Sequence, residues 1–231
     1  MEARSSLAVK QITAVEQQTR PGSKRLNVHL EGEYAFSLAE HLAARLSPGD
    51  YLSDVEVAEL RREDDLHQVY DAALDLLSYR PRSVAELRGR LERKGYDNQM
   101  IDEALAKLEK QGIVGDQEFA RFWVENRQTH SPRGGRMLRT ELRFKGIDRE
   151  TIDNVLPAPE EEDSVAYRVA GAKARSLKGL EWRDFRRRLG DHLVRRGFGY
   201  ETASSVTRRL WIEEHGPEED DGADVVGSLD T

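Results

Sequence analysis

The side chains with the most chemistry to offer are arginines set at helical spacing. Arg136, Arg139 and Arg143 stand at i, i+3 and i+7, within one narrow stripe of a helix, and Leu138 and Leu142 fall on the opposite side. Arg183, Arg187 and Arg195 stand away from Phe185, Leu189 and Leu193 in the same manner, and Arg133 and Lys145 flank the first group. A guanidinium is planar, stays charged and forks its N–H donors onto carboxylate or phosphate oxygens. These eight residues are therefore candidate contacts for an acidic or polyanionic partner, set against the plain reading of a solvated helical surface. Charge placement favours a partner. The net charge is −7, yet residues 164–209 hold twelve basic and four acidic residues, and residues 210–231 hold eight acidic and no basic ones. Residues 66–157 are nearly balanced, at sixteen basic and fifteen acidic. Asymmetry of this kind suits a polyanionic or acidic partner for one face.

Other chemistries lack their residues. There is no cysteine, which removes disulfides, thiol catalysis and thiolate metal sites. His29, His41, His67, His130, His192 and His215 do not share metal-ligand spacing with one another or with a nearby carboxylate. No P-loop, G-x-G-x-x-G or G-x-S-x-G pattern occurs. Gly134 and Gly135, beside Arg133 and Arg136, can hold an anion at a helix N-terminus, although a plain interhelical turn is the simpler reading. The chain is expected to be no enzyme and to need no cofactor or metal. The first residues lack an apolar signal core, and no run is long enough to span a bilayer, so a cytoplasmic protein is expected.

The elements that carry these residues repeat. The stretch Leu87 to Tyr96 superimposes on Leu138 to Ile147, and both on Leu189 to Phe198, at a constant offset of 51 residues. Fixed-period self-similarity marks a stacked repeat array, in which each unit buries its apolar stripe against its own helices and its neighbours. Each repeat reads as three helices. In the first, Ala72, Ala73, Leu76 and Leu77 recur at helical spacing and Pro81 stops the helix. Ser83 with Glu86 predicts a capping box, Leu87 and Leu91 share a face, Gly95 suits a left-handed helix end, and Asp97 caps a helix through Ile101, Leu105 and Leu108. In the second, Asp116 opens the helix of Phe119, Phe122 and Trp123. Residues 131–135 break it, and Leu138 and Leu142 lead to Gly146 and a helix through Ile152. The third runs from about Asp163 through Val169, Trp182, Phe185, Leu189, Leu193 and Gly197, and finishes through Ala203, Val206, Leu210 and Ile212. The aromatics Phe119, Phe122, Trp123, Trp182 and Phe185 read as core rather than as a stacking platform. The helix of the first repeat equivalent to the arginine stripe mixes Arg88, Arg90 and Arg93 with Glu86 and Glu92, so the positive face belongs to the second and third repeats.

The ends differ. Residues 9–15 and 26–30 alternate apolar and polar side chains about a turn at Thr19 to Ser23, which predicts a hairpin. A third strand is expected over residues 33–37, a short helix over 38–45, and a helix capped by Ser53 through Val57 and Leu60. From Gly216 onward the chain is acidic with little to bury, which predicts disorder, and the acidic stretch 157–162 reads as a linker between repeats. The expected fold is mainly α: a tandem array of three three-helix repeats, with a small β-rich N-terminal extension and a disordered acidic tail. The divisions fall at 1–60, 64–114, 115–157, 163–215 and 216–231.

One family carries this pattern. Tyr70, Ala73, Leu74, Leu77, Ser78-Tyr79-Arg80, Arg82-Ser83, Glu86-Leu87, Leu91 and Lys94-Gly95-Tyr96 match its motif. So do Asp116, Phe119-Ala120, Trp123, Arg127, Gly134, Leu138, Glu141-Leu142 and Lys145-Gly146-Ile147 in the central repeat. Over residues 64–156 the chain closely resembles RecX, the bacterial regulators of the RecA recombinase; the third repeat matches more weakly. The resemblance implies three tandem three-helix repeats without catalytic activity. It further implies binding along the groove of the RecA–DNA filament, opposing its extension in DNA repair, recombination and the SOS response, with direct DNA binding in some members. The partner is then the RecA nucleoprotein filament and the chain a monomer. The alternatives are a free-standing DNA-binding helical protein and a scaffold for another protein's acidic surface.

Overall fold

The computed structural model describes residues 9–19 and 23–216. The expected acidic tail, beyond its first residue, lies outside them. The chain divides into two compact units, one ending at Gly115 and one beginning at Asp116.

The first unit opens with a four-stranded antiparallel sheet, ordered β3-β2-β1-β4, of β1 (Val9–Gln17), β2 (Arg25–Leu30), β3 (Glu33–Ala39) and β4 (Tyr51–Ser53). Ile12, Val28, Leu30 and Phe36, on the strands expected from the sequence, enter one core, and Leu38, Leu52 and Leu42 of the single-turn helix α1 (Glu40–Ala43) join it. The third strand runs to Ala39, so the helix expected over 38–45 shrinks to that turn. Then α2 (Asp54–Tyr79) begins at a full capping box: the Ser53 hydroxyl accepts from the Glu56 N–H, and Glu56 Oε2 accepts from the Ser53 N–H at 2.7 Å. The two helices expected through Leu60 and through Ala72 are one continuous element of 26 residues. Val57 and Leu60 cover the sheet core, and Val69, Ala72, Ala73 and Leu76 belong to the next core. Between them sits Asp64, 3% exposed. Its carboxylate accepts from Arg25 Nη2 at 2.7 Å, the Ala39 N–H at 2.7 Å and Gln68 Nε2 at 2.8 Å, riveting two strands to the helix.

The first repeat closes with α3 (Val84–Arg93) and α4 (Asn98–Lys110). Ser83 caps α3 by accepting from the Glu86 N–H at 3.1 Å, while the Glu86 carboxylate accepts a two-pronged pair of bonds from Arg80. Gly95 has φ +87°. The Gly95 N–H bonds Glu92 O and the Tyr96 N–H bonds Leu91 O, a Schellman closure. The same pair of bonds recurs one period on at Gly146 and Ile147, and again at Gly197 and Phe198.

The second unit comprises α5 (Asp116–His130), α6 (Gly135–Phe144), α7 (Arg149–Val155), α8 (Pro159–Ala174), a 3-10 turn (Arg175–Leu177), α9 (Trp182–Arg195) and α10 (Tyr200–His215). Phe119, Val124, Leu138, Leu142, Ile147 and Ile152 form one core; Val169, Phe185, Leu189, Leu193, Phe198 and Val206 belong to the other. Three expectations need correction. The acidic stretch 157–162 is no linker, because Pro159 opens α8 and Glu160, Glu161 and Glu162 fill its first turn. Proline lacks the N–H that this turn leaves unused, and carboxylates suit the positive end of the helix dipole. Phe122 is 40% exposed, off the core stripe. In α10 it is Trp211 that is buried, against Trp182 and Phe185, whereas Ile212 is 38% exposed.

Candidate functional site

The eight candidate residues lie on α6, α9 and their flanking turns, and their surroundings sort them. Arg136 and Arg143 are exposed on α6 and make no ion pair among the described residues. Arg139, between them, pairs with Asp153 of α7, which Arg149 also approaches at 3.5 Å. The Arg139 hydrogen bond holds the Asp153 carboxyl below its ordinary range. Arg133 turns inward: its Nε is buried without a hydrogen-bond partner, 4.0 Å from Glu141. Glu141 Oε2 accepts from Arg127 Nε at 2.7 Å and Trp123 Nε1 at 2.8 Å, so this cluster fastens α5 to α6. Lys145 Nζ lies 4.7 Å from the centre of the Trp123 ring, whose face also carries Arg127. In the third repeat Arg183 and Arg195 are exposed and make no ion pair among the described residues. Arg187 meets Asp184 at 2.9 Å, both more than half exposed, an arrangement that solvent screens strongly.

The seam between the second and third repeats joins the start of α6, which carries Arg136, to the turn that follows Arg195 on α9. Gly134 donates its N–H to Arg196 O at 3.0 Å, and Arg136 donates its N–H to Gly197 O at 3.2 Å. The N-terminus of α6 thus meets the C-terminal turn of α9, pairing unsatisfied N–H groups with unsatisfied carbonyls and opposing the ends of two helix dipoles. Backbones approach this closely only without side chains. A Cβ on Gly134 would lie 2.3 Å from Phe198 N, and one on Gly197 would lie 2.3 Å from Met137 Cβ. Arg196 Nη1 to Pro132 O at 3.3 Å and Arg168 Nη2 to Gln128 O at 3.1 Å complete the seam. The anion suggested for the Gly134-Gly135 turn is internal: the Gly135 N–H donates to Glu162 of α8 at 3.2 Å.

The site therefore intersperses exposed guanidinium groups without an ion pair among the described residues, Arg136, Arg143, Arg183 and Arg195, with two that carboxylates partly neutralise, Arg139 and Arg187. Beside them lies a cleft of about 460 Å³, lined by Arg136, Arg139, Asp153 and Glu162, whose charge is mixed. Among the described residues no group of three His, Cys, Asp or Glu side chains converges for a metal, and no helix is long and apolar enough to cross a membrane. The His192 imidazole, on α9, is held below its ordinary pKa by burial, then by Arg196, Lys173 and Arg195. Sequence reasoning missed Phe144, 88% exposed between Arg143 and Lys145. The signal was present: one period away in either direction stand Arg93 and Arg195, so an aromatic ring occupies a position that the other repeats give to charge.

Comparison with known proteins agrees with this architecture. Models of the first, second and third three-helix domains of RecX match residues 70–108, 116–156 and 160–207. Regulatory protein RecX of Bacillus licheniformis is 32% identical over 92% of this chain and 80% of its own length. That of Amycolatopsis mediterranei is 33% identical over 70% of this chain and 93% of its own. A crystal structure of regulatory protein RecX superimposes with a TM-score of 0.69 at 27% identity, covering 87% of this chain and 98% of the other. Three domain matches in tandem, on a chain whose helices close at the same glycine every 51 residues, lead to one conclusion: this chain belongs to the RecX family of regulatory proteins.

Proposed function

We propose that this chain binds the RecA–DNA filament through the basic surface of its second and third repeats, opposes filament extension and so inhibits RecA in DNA repair and recombination. It acts in the cytoplasm, as a monomer, without catalysis or cofactor. The observation that supports this reading best is the seam: one backbone hydrogen bond runs from Arg136 to Gly197, two residues past Arg195, so the start of the α6 stripe and the end of the α9 group are neighbours along the chain's fold. Arg136, Arg143, Arg183 and Arg195 are the open contacts; Arg139 and Arg187 can exchange their carboxylate partners for phosphate, and Arg133 and Lys145 support the surface from behind. A filament groove offers acidic protein and DNA phosphate, both of which a guanidinium fork accommodates. The exposed Phe144 beside Arg143 favours a share of direct DNA contact, since an aromatic face stacks on any base.

The test is retention of the chain on bare DNA, on free RecA, and on RecA assembled on DNA with a non-hydrolysed nucleotide. Filament-selective retention is expected, together with a lowered DNA-dependent ATPase rate of RecA. Equal retention on bare DNA would instead make it a free-standing DNA-binding protein.

A further inference from the structure

The third repeat carries a groove with a matched occupant in the same chain. Val194 and Tyr200, 42% and 78% exposed, line a groove of about 440 Å³ along α9 and the first half of α10, together with Arg183, Arg186 and Arg187. Thr207 closes it with a hydroxyl that is buried and has no hydrogen-bond partner. The turn 196–199 makes α9 and α10 antiparallel, and the Trp182–Trp211 contact at 5.4 Å places the start of α9 beside the end of α10. The groove therefore has a direction: arginines toward the end of α10, apolar lining toward its start. The sequence after Gly216 has the same order. Glu218, Glu219, Asp220 and Asp221 come first, and Val225 and Val226 follow. Residues 217–231 hold six acidic and no basic side chains, against twelve basic and four acidic over 164–209. Reach is sufficient. Returning from Gly216 to Tyr200 along the helix is about 24 Å, and ten extended residues span about 33 Å.

We infer that residues 217–231 fold back along α10, pairing their acidic run with Arg183, Arg186 and Arg187 and seating Val225 and Val226 against Val194 and Tyr200. The tail then occupies Arg183 and Arg187 until a stronger polyanion displaces it, a consequence that rests on the function proposed above. The contact itself does not.

Because the chain has no cysteine, it can be trapped cleanly. Ser204→Cys, in the groove, is combined with Val226→Cys; the control combines Val226→Cys with Asn154→Cys, exposed on α7. Under mild oxidation at low salt the groove pair should form its disulfide at least about tenfold faster than the control. That advantage should vanish when Glu218, Glu219, Asp220 and Asp221 become their amides, a change that leaves the described fold untouched. Equal rates for the two pairs, or a rate indifferent to the amides, would overturn the contact. Removing residues 217–231 should also strengthen retention on bare DNA at low salt. Trapping without that gain would leave the tail seat intact and remove the arginines' role in nucleic-acid binding.

Discussion

Replacing Gly134 by alanine isolates the seam between the second and third repeats. Gly134 has φ −75° and ψ 162°, angles that alanine adopts freely, so backbone strain does not enter. The new methyl would meet Phe198 N at 2.3 Å and Gly197 O at 2.4 Å, where ordinary contact begins near 3.4 Å. These are backbone atoms of a Schellman turn, which cannot rotate aside as a side chain can. The seam must open by about 1 Å, an overpacking cost of roughly 1–3 kcal/mol. The 3.0 Å bond from Gly134 and the 3.2 Å bond from Arg136 then stretch beyond useful length, at about 0.5–1.5 kcal/mol each. The sum is about 2–6 kcal/mol, a fall in melting temperature on the order of 10–30 °C for a unit of this size. All three tryptophans, Trp123, Trp182 and Trp211, lie in the second unit, so their fluorescence reports its unfolding selectively. Gly199→Ala is the control, an N-cap glycine of the same unit whose added Cβ would meet only Thr202 Oγ1 at 3.9 Å. If the two variants melt together, the seam contributes nothing and the close approach of the backbones is irrelevant to stability.

Changing Arg136 and Arg143 together to glutamate should abolish retention on the RecA–DNA filament while moving the melting temperature by no more than about 2 °C, since neither has an ion pair to lose; undiminished retention would reduce both to solvated surface. Binding by the parent chain should weaken with salt at a log–log slope of about −0.9 per phosphate neutralised on duplex DNA, or −0.7 on single strands, and a flat dependence would remove phosphate from the contact. Asp64→Ala leaves the Ala39 N–H without its acceptor and Arg25 with Ser37 alone, and should destabilise the first unit by about 2–4 kcal/mol, seen as faster hydrogen exchange across β2 and β3; unchanged exchange there would show the rivet to be idle. His192 is held below its ordinary pKa, so the unfolded chain binds its proton first as pH falls. The second unit should therefore lose stability as pH drops below about 6.5, the unfolded-state value, and His192→Gln should remove that part of the slope in pH-dependent melts.

The periodic elements were legible because one physical requirement recurs in each. A helix that must turn back sharply needs a left-handed residue, and Gly95, Gly146 and Gly197 announce it together with the leucine pairs that precede them. The sheet was legible from alternation, except β4, whose three residues are too few to alternate. The acidic run at 160–162 misled because composition alone does not distinguish a solvated linker from a charged first turn; Pro159 carried the deciding signal. Trp211 was passed over for its neighbours Leu210 and Ile212 because three adjacent apolar residues satisfy the helical period in more than one phase. The arginine stripe was correct in phase, but pairing is a matter of neighbours from other helices. Asp153 and Glu141 lie 14 and 8 residues from the arginines they touch, and only folding brings them there. The seam was invisible for the same reason. Gly134 stands where the first repeat has the capping residue Ser83, and the loss of a good cap makes sense only once Gly197 is seen to pass over it.

An unbroken helix of 26 residues, about 39 Å long at 1.5 Å per residue, acts as a splint. Its first half is glued beneath the sheet and its second half is one wall of the first repeat, so no swivel separates them. A partner that grips Tyr34 or Tyr51 on the sheet's exposed surface holds a handle on the first repeat and can apply torque to it as one piece. Trimming the chain just before residue 64, where composition suggests a tidy start, would saw through the splint in mid-span. It would discard the Ser53–Glu56 cap, strip Val57 and Leu60 from the wall, and leave Asp64 facing water without Arg25.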